Sequence, residues 1–262
     1  MTPIILFRKD FDSEEEFEIA KQYFDVVEYR SKVPKDSLVI PRFSALPYYN
    51  ELEVDVKNLG SKLINTHRQH LWIANFEYYE HIKEYTPESW FEHEFPYSND
   101  EGPFVLKGLT NSRKFRWNTH MFAPNRHTAI QIGSELMQDP MISQQGIVYR
   151  KYVPLKTFEI GINDLPFTNE FRFFFYKEEL LTYGFYWSTM EDPELGKLDE
   201  DGLQLARTVA KIAAEYVDFF VLDIGEKEEG GWIVIEINDG SQSGLSENSP
   251  HSLYAALKKV LT

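Results

Sequence analysis

Two apolar, β-branched runs near the end of the chain constrain its fold more than any other feature. FFVLDI at 219–224 and GWIVIEIN at 231–238 flank a polar Glu/Lys/Gly segment, which is the pattern of a β-hairpin. With the turn at 229–230, simple pairing puts Asp223 opposite Glu236. The sequence therefore predicts two carboxylates side by side on neighbouring strands.

The predicted hairpin also places an amide beside these carboxylates. Side chains alternate along a strand, so Glu236 and Asn238 should share one face while Ile233, Ile235 and Ile237 point to the other. Two carboxylates and an amide oxygen suit Mg²⁺, which usually keeps waters and takes substrate phosphates into its shell. The alternative is an edge hairpin with a solvated acidic face.

A Gly/Ser loop follows the predicted ligands directly. Residues 239–243 read DGSQS, and their backbone N–H groups are in a position to meet an anion. Ser241 and Ser243 are therefore candidate substrate contacts.

The acidic balance of the chain excludes a general nucleic-acid or anionic-membrane binder. Its 262 residues carry a formal net charge of −15, whereas phosphate backbones are bound by an excess of Lys and Arg. There is no cysteine, which rules out disulfides, thiolate nucleophiles and thiolate zinc sites. The first apolar run is too short for a signal peptide, and no segment has the length of a membrane span. We expect a soluble, cytoplasmic protein.

The first part of the chain alternates short β-type runs with helical patterns, which predicts an open α/β lobe with parallel strands. Arg42 follows the third run, where open sheets bind ligands, and is a candidate substrate contact. The alternative for Arg42 is a surface salt bridge. The β-type runs lie at 3–7, 26–29, 37–40 and 62–64, the helical patterns at 13–24 and 67–83, and an extended link at 85–91.

A lysine inside an apolar strand marks the second part of the chain. GPFVLKG at 102–108 carries one charged residue, Lys107, and a buried lysine is costly unless an anion meets it. The alternative is a lysine that snorkels at the strand end. Arg113, Lys114 and Arg116 follow, and they form either a mobile cover for phosphates or a solvated turn. The segment has neither Walker spacing nor a dinucleotide fingerprint.

Further charged residues lie on later strands. GIVYRKYVPL at 146–155 carries Arg150 and Lys151, and NEFRFFFY places Glu170 and Arg172 on one strand face. The run after it is predicted as its antiparallel neighbour, because only a short turn separates them. Helices are predicted at 125–138, 201–217 and 251–260, and Tyr183, Tyr186 and Trp187 are candidates for an acceptor pocket or for the core.

The order and spacing of these charged strands resemble the ATP-grasp superfamily. The stretches VIPRFSALPYY and TPESWF resemble the preceding lobe of the branch that adds glutamate to protein carboxyl termini. The similarity spans nearly the whole chain and is strongest over 223–244. It implies an α+β, ATP-grasp fold in which two α+β lobes enclose the nucleotide and a small open-sheet lobe with an α/β pattern precedes them.

The resemblance implies a division of the chain and a role for each charged strand. The amino-terminal lobe and linker would occupy 1–97 and the ATP-grasp domain 98–262, with a small lobe at 98–155 and a metal-binding lobe at 156–262. Lys107 and Arg172 would be catalytic and contact ATP phosphates, under a flexible loop at 110–117 that contributes Lys114 and Arg116. Asp223, Glu236 and Asn238 would hold Mg²⁺, and Arg42, Ser241 and Ser243 would contact the substrate.

The hinge that reads adenine would lie at Arg150, Lys151, Tyr152 and Val153, with backbone groups of Tyr152 and Val153 facing the base. This hinge departs from the family pattern, which has Gln-Glu where this chain has Arg150-Lys151. A further lysine expected late in the first lobe is not evident, and His70 and Lys83 are the nearest candidates.

The resemblance implies an ATP- and Mg²⁺-dependent carboxylate–amine ligase that forms an amide through an acyl-phosphate, with a peptide, protein or small metabolite as substrate. No side-chain nucleophile is needed, which fits the absence of cysteine. Three alternatives stay open: a ligase or kinase acting on RNA ends through the basic 113–116 segment, a non-catalytic nucleotide-binding regulator, and an α+β protein with scattered surface charges.

Overall fold

The computed structural model describes residues 1–9, 13–140, 142–187 and 196–262. These residues form three four-stranded sheets and one two-stranded hairpin. The strands are β1 Thr2–Phe7, β2 Asp25–Val27, β3 Ser37–Arg42, β4 Lys62–Leu63, β5 Ser89–Phe91, β6 Phe104–Gly108, β7 Phe122–Ala123, β8 Ile147–Lys151, β9 Thr157–Ile160, β10 Pro166–Thr168, β11 Glu170–Tyr176, β12 Glu179–Phe185, β13 Phe219–Glu226 and β14 Trp232–Asp239. The helices are α1 Glu14–Tyr23, α2 Tyr49–Asn58, α3 His67–Ala74, α4 Tyr79–Ile82, α5 Arg126–Leu136, α6 Glu200–Ala213 and α7 Pro250–Leu261.

The first sheet confirms the predicted open α/β lobe. Its order is β2-β1-β3-β4, and all three pairings are parallel. Parallel neighbours need crossover connections, and the chain between these strands includes α1 and α2. Arg42 is the last residue of β3 and therefore lies at the carboxyl edge of this sheet.

The second sheet has the order β5-β8-β6-β7 and is antiparallel. Its edge strand β5 comes from the predicted extended link and pairs with β8. The third sheet has the order β12-β11-β13-β14 and is also antiparallel. The division of the chain near residue 97 stays a prediction.

The first and third sheets share one hydrophobic core. Ile5 and Phe7 of β1 belong to the same buried cluster as Phe174 and Phe219 of the third sheet, and Leu253 of α7 completes it. The amino-terminal lobe therefore buries its apolar face against the predicted metal-binding lobe, and the edge of its sheet is fixed relative to β14.

The predicted helical region at 67–83 is broken in the structure. It contains α3 and α4, separated by a turn in which Phe76 adopts a φ of 62° while its ring is buried. The other predicted helices are confirmed to within a few residues, and Asn125 caps α5 by accepting from the Thr128 N–H at 3.0 Å. None of the helices in the described ranges is long and apolar enough to span a bilayer.

Candidate active site

The β13–β14 hairpin pairs as its sequence predicts, but it contains a bulge. Asp223 lies opposite Glu236, and the next pair is Ile224 with Val234, so Ile235 is an extra residue in β14. A bulge breaks the strict alternation of side chains.

This bulge corrects the predicted faces of the strand. Ile233 and Ile235 line the same cavity as Glu236, whereas Val234 and Ile237 are buried in the core. Placing Ile233 and Ile235 on the opposite face was therefore wrong, and only Ile237 points away as predicted.

Asp223 is held by a buried ion pair across two strands. Arg172 of β11 is its register partner, and Nε and Nη2 donate to the two carboxylate oxygens at 2.9 and 2.7 Å. Burial raises the pKa of Asp223, and the Arg172 guanidinium opposes that rise. Burial favours loss of the Arg172 proton, but the carboxylate outweighs it and raises the arginine pKa, so the guanidinium stays charged.

Lys107 meets the anion that its buried position predicts. Its Nζ donates to Oε2 of Glu236, which joins β6 of the second sheet to β14 of the third. Burial acts to raise the pKa of Glu236, but the nearby Lys107 and Lys114 ammonium groups reverse the effect and hold it well below its usual range. We call Lys107, Arg172, Asp223 and Glu236 the ion-pair cluster.

The residues present fit a magnesium site. Asp223 and Glu236 face each other across the hairpin, and the Asn238 amide nitrogen lies 3.5 Å from Oδ2 of Asp223. These side chains offer oxygen donors and no sulfur or imidazole, as Mg²⁺ prefers. Among the described residues no three His, Cys, Asp or Glu side chains form a metal-binding group, so the predicted set depends on the Asn238 amide as its third donor.

A cavity of about 130 Å³ lies between the second and third sheets, above the ion-pair cluster. Arg116 does not line it; this residue is exposed beside His120. Arg172 does not line it either and lies against Asp223 instead. The cavity is lined by six of the predicted ATP-binding residues, Lys107, Lys114, Arg150, Lys151, Tyr152 and Val153, together with Glu170, Glu236, Ile233 and Ile235.

Arg150 is a buried cation that faces this cavity without a carboxylate. It donates to the hydroxyls of Ser89 and Thr86 at 3.2 and 2.7 Å and to the carbonyl of the bulged Ile235. Within the described ranges no Asp or Glu lies within ion-pair distance of it, and burial lowers its pKa. Its neighbour Lys151 points outward and pairs with Asp100 at 2.8 Å.

The hinge and the basic segment are only partly available to a nucleotide. The Tyr152 N–H donates to the Pro103 carbonyl at 2.9 Å, so this group does not read a base as predicted. In the basic segment, Arg113 pairs with Asp139, while Lys114 points inward and donates to the Tyr186 hydroxyl. The three cations therefore have three different environments rather than forming one patch.

A second cavity, of about 770 Å³, lies between the first sheet and the loop after β14. Arg42, Ser241 and Ser243 all line it, as does Arg8, whose guanidinium carbon lies 4.7 Å from the ring centre of Phe43. The structure thus brings the three predicted substrate residues together on a surface separate from the first cavity.

The Arg42 side chain is buried, which corrects the expected surface salt bridge. Its Nε donates to Glu16 at 2.8 Å and its Nη1 to the Gly240 carbonyl, and the Tyr254 hydroxyl also donates to Glu16, at 2.7 Å. Arg42 therefore ties the amino-terminal sheet to the loop after β14.

The N–H groups of that loop are mostly used within the protein, contrary to the prediction. Gly240 donates to the Phe219 carbonyl, Ser241 to a carboxylate oxygen of Asp239, and Gln242 to the Asp239 carbonyl. The Ser243 hydroxyl donates to the same carbonyl at 2.9 Å. The loop is folded around Asp239 and does not present a row of free donors.

Sequence reasoning missed the buried network around Asp239. His70 Nδ1 lies 3.0 Å from Oδ2 of Asp239, Asn65 donates to Oδ1 at 3.0 Å, and Tyr49 stacks on the His70 ring at 4.0 Å. The available signal was an acidic residue directly after a predicted ligand. Neither candidate for the expected lysine lines the first cavity, because His70 is in this network and Lys83 pairs with Glu80 on the surface.

The aromatic candidates separate in the structure. Trp187 lines the first cavity and Tyr183 is 48% exposed and lines neither cavity. Tyr186 contacts Lys114 and Arg172, with ring-centre distances of 4.1 and 4.8 Å. None of the three lies in the second cavity, so their assignment to an acceptor pocket was wrong.

Comparison with known proteins identifies the fold around these cavities. A family of ATP-grasp domains, the third family of its clade, matches residues 94–257, which is more than half of the chain. No curated protein sequence matches the chain.

Solved structures match over the full length at low identity. The D-cycloserine synthetase DcsG matches with a TM-score of 0.61 and 12% identity, over 99% of this chain and 100% of its own. A RimK domain ATP-grasp protein from Sphaerobacter thermophilus matches with a TM-score of 0.59 and 14% identity, over 100% of both chains. The ATP-grasp ligase PsnB, solved with a variant precursor, Mg and ADP, matches with a TM-score of 0.56 and 10% identity, over 100% of this chain and 99% of its own. These similarities confirm the predicted ATP-grasp fold.

Proposed function

The chain belongs to this family of ATP-grasp domains, and from this premise we propose that it is an ATP- and Mg²⁺-dependent ligase that joins a carboxylate to an amine. The observation that carries the proposal is the ion-pair cluster, in which two buried cations and two buried carboxylates meet where the second and third sheets face each other. ATP-grasp ligases among the structural neighbours support the same chemistry.

Arg172 and Lys107 are in position before any substrate arrives, because each lies against a carboxylate of the third sheet. Attack of a substrate carboxylate on the γ-phosphate brings two anions together, so fixed positive charge lowers the barrier. The carboxylate oxygen forms a bond to phosphorus as the bond to the leaving ADP oxygen breaks. An amine then attacks the acyl-phosphate carbon, loses a proton and expels phosphate, which leaves the amide.

The metal would be held by Asp223, Glu236 and Asn238, where Mg²⁺ supplies charge neutralisation for the phosphates. Arg150 supports a nucleotide in the first cavity, because a buried guanidinium without a carboxylate partner among the described residues is balanced best by an added anion. Ile233 and Ile235 offer apolar contacts in the same cavity. Lys107 and Lys114 would contact the phosphates.

We place the carboxylate and amine substrates in the second cavity, lined by Arg42, Ser241 and Ser243. Its volume of about 770 Å³ lies in the range of sites for drug-sized ligands. Arg172 links this cavity to the cluster, since it bonds both Asp223 and the carbonyl of Gly244, which lines the cavity. A small metabolite or a segment of a peptide fits this space.

The test is mass spectrometry of a cell extract incubated with the protein, ATP and Mg²⁺. We expect a new product whose mass equals that of a carboxylic acid plus an amine minus water, together with ADP. A Glu236→Gln protein should give neither. ADP formation without any new amide, in every extract and with every amine added, would contradict the proposal.

A further inference from the structure

Tyr186 contacts both a cation of the ion-pair cluster and a cation of the covering segment. It lies directly after β12, where its N–H donates to the Glu170 carbonyl at 2.9 Å and extends the β11–β12 ladder by one residue. The guanidinium carbon of Arg172 lies 4.8 Å from the ring centre, and the Lys114 Nζ lies 4.1 Å from it and donates to the hydroxyl.

The position of this ring is fixed by the sheet. Arg172 pairs with Gly184, and residues two apart on a strand share a face, so Tyr186 stands on the same face as Arg172. A Cβ at Gly184 would lie 2.7 Å from the backbone of Glu247. The loop after β14 therefore packs directly on this strand, and its Gly244 carbonyl accepts from Arg172 at 2.9 Å.

Lys114, in contrast, belongs to the irregular segment between β6 and β7 and has no ladder to place it. Two cations near one another repel, but the face of an aromatic ring attracts each of them within about 6 Å of its centre. The Tyr186 hydroxyl adds a charge-assisted hydrogen bond to Lys114. The ring thus offsets part of the repulsion at the place where Lys114 reaches the third sheet.

We propose that Tyr186 is a positioning residue that holds Lys114 beside Arg172, so that both cations meet the terminal phosphates of the bound nucleotide. This inference rests on the nucleotide site of the proposed function. Tyr186 itself transfers nothing in the reaction; it acts through the two cations that it orders.

The test compares two Tyr→Phe variants of neighbouring residues by titration calorimetry. Tyr183→Phe is the matched control, since Tyr183 lies in β12, is 48% exposed and stacks on Phe173 rather than on a cation. Each protein is titrated with AMPPNP in Mg²⁺ and, separately, with AMP. We expect Tyr186→Phe to weaken AMPPNP binding about tenfold, the effect of losing a hydrogen bond to a charged group, with AMP binding unchanged. Tyr183→Phe should bind both like the wild type.

Three results would overturn the inference. Wild-type affinity for AMPPNP in Tyr186→Phe would show that the hydroxyl does not position Lys114. Equal losses for AMPPNP and AMP would indicate a general structural role. A tenfold further loss when Tyr186→Phe is added to Lys114→Met would show that the two residues act independently, whereas we expect less than about twofold because contacting residues are not additive.

The same titrations separate this inference from the proposed function. A wild-type protein that binds neither nucleotide would contradict the ATP site itself and the inference with it. A wild-type protein that binds AMPPNP, with Tyr186→Phe binding equally well, would contradict only the role of Tyr186.

Discussion

The two cavities of this protein differ in how their charged residues are held. Around the first, Lys107, Arg150, Asp223 and Glu236 all lie on strands, and Arg172 sits in register between its neighbours. Around the second, most of the lining comes from the loop after β14 and from the ends of β1 and β3. The first has a volume of about 130 Å³ and the second about 770 Å³.

This difference assigns separate tasks to the two regions. A catalytic site needs charges fixed to within fractions of an ångström, and strands supply that precision better than loops. A substrate site that varies between relatives belongs on loops carried by a rigid scaffold. We therefore expect changes on the strands to alter nucleotide binding and turnover, and changes in the loop to alter the acceptor alone.

The largest effect should come from removing one side of a buried pair. Arg172→Met leaves Asp223 buried without its cation, and we expect the free energy of unfolding to fall by about 3–5 kcal/mol. The pKa of Asp223 is already raised by burial, and without Arg172 it rises further. A carboxylate with a raised pKa in the folded state loses stability as pH rises, so the variant should regain stability relative to wild type on going from neutral to mildly acidic pH.

Denaturant unfolding across this pH range measures the Arg172→Met effect. Arg207→Met, at an exposed position on α6 whose guanidinium lies 3.8 Å from Glu200, is the control and should change stability by less than about 1 kcal/mol. If both variants lose the same stability at every pH, the buried pair does not have the role given to it here.

Turnover should depend most strongly on the carboxylates of the hairpin. Glu236→Gln removes a charge that the ion-pair cluster and the metal both use, and we expect ADP release to fall by about 100- to 1,000-fold, or roughly 3–4 kcal/mol in the barrier. Glu228→Gln, in the exposed turn of the same hairpin, should leave turnover within about twofold. Similar rates for the two variants would place the chemistry elsewhere.

A smaller loss is expected from the buried arginine of the first cavity. Arg150→Met leaves the hydroxyls of Ser89 and Thr86 and the Ile235 carbonyl without their donor, which costs about 1–3 kcal/mol. Because the buried charge has no carboxylate partner among the described residues, we expect a smaller stability loss than for Arg172→Met. Affinity for AMPPNP should fall about tenfold, as calorimetry would measure; unchanged affinity would exclude Arg150 from the nucleotide site.

The smallest effect should lie on the acceptor side. Ser243→Ala removes one hydrogen bond to the Asp239 carbonyl, worth about 0.5–1.5 kcal/mol. AMPPNP affinity should equal that of the wild type, while KM for the acceptor found in the extract experiment should rise. A nucleotide affinity that falls with Ser243→Ala would break the distinction between the two cavities.

The hairpin site was predictable because strand register follows from local pattern. Two apolar runs with a short polar turn fix which residues pair, and this placed Asp223 opposite Glu236 as the structure has them. The same reasoning put a buried lysine on β6 and required an anion beside it, which Glu236 supplies. These inferences need only alternation and the cost of burying charge.

The bulge could not be read from the same pattern. The run WIVI is apolar on both faces, so hydrophobicity does not tell which residue is inserted into the ladder. Its location depends on a contact distant in sequence, the Arg150 side chain that donates to the Ile235 carbonyl. The faces of Ile233 and Ile235 were wrong for this reason.

Irregular segments escaped prediction for a related reason. Arg113, Lys114 and Arg116 look alike in sequence, but their partners are Asp139, Tyr186 and, for Arg116, its own neighbourhood near His120. Outside a helix or strand no periodicity fixes the direction of a side chain, so partners far along the chain decide it.

The most direct test of the central claim is electron paramagnetic resonance of Mn²⁺, used in place of Mg²⁺, titrated into the protein with AMPPNP. Because the proposed ligands are Asp223, Glu236 and Asn238, we predict that the wild type binds Mn²⁺ tightly only when the nucleotide is present. The Glu236→Gln variant should lose that binding, and Glu228→Gln should keep it. Equal Mn²⁺ binding in all three proteins would contradict a metal–nucleotide site on the hairpin.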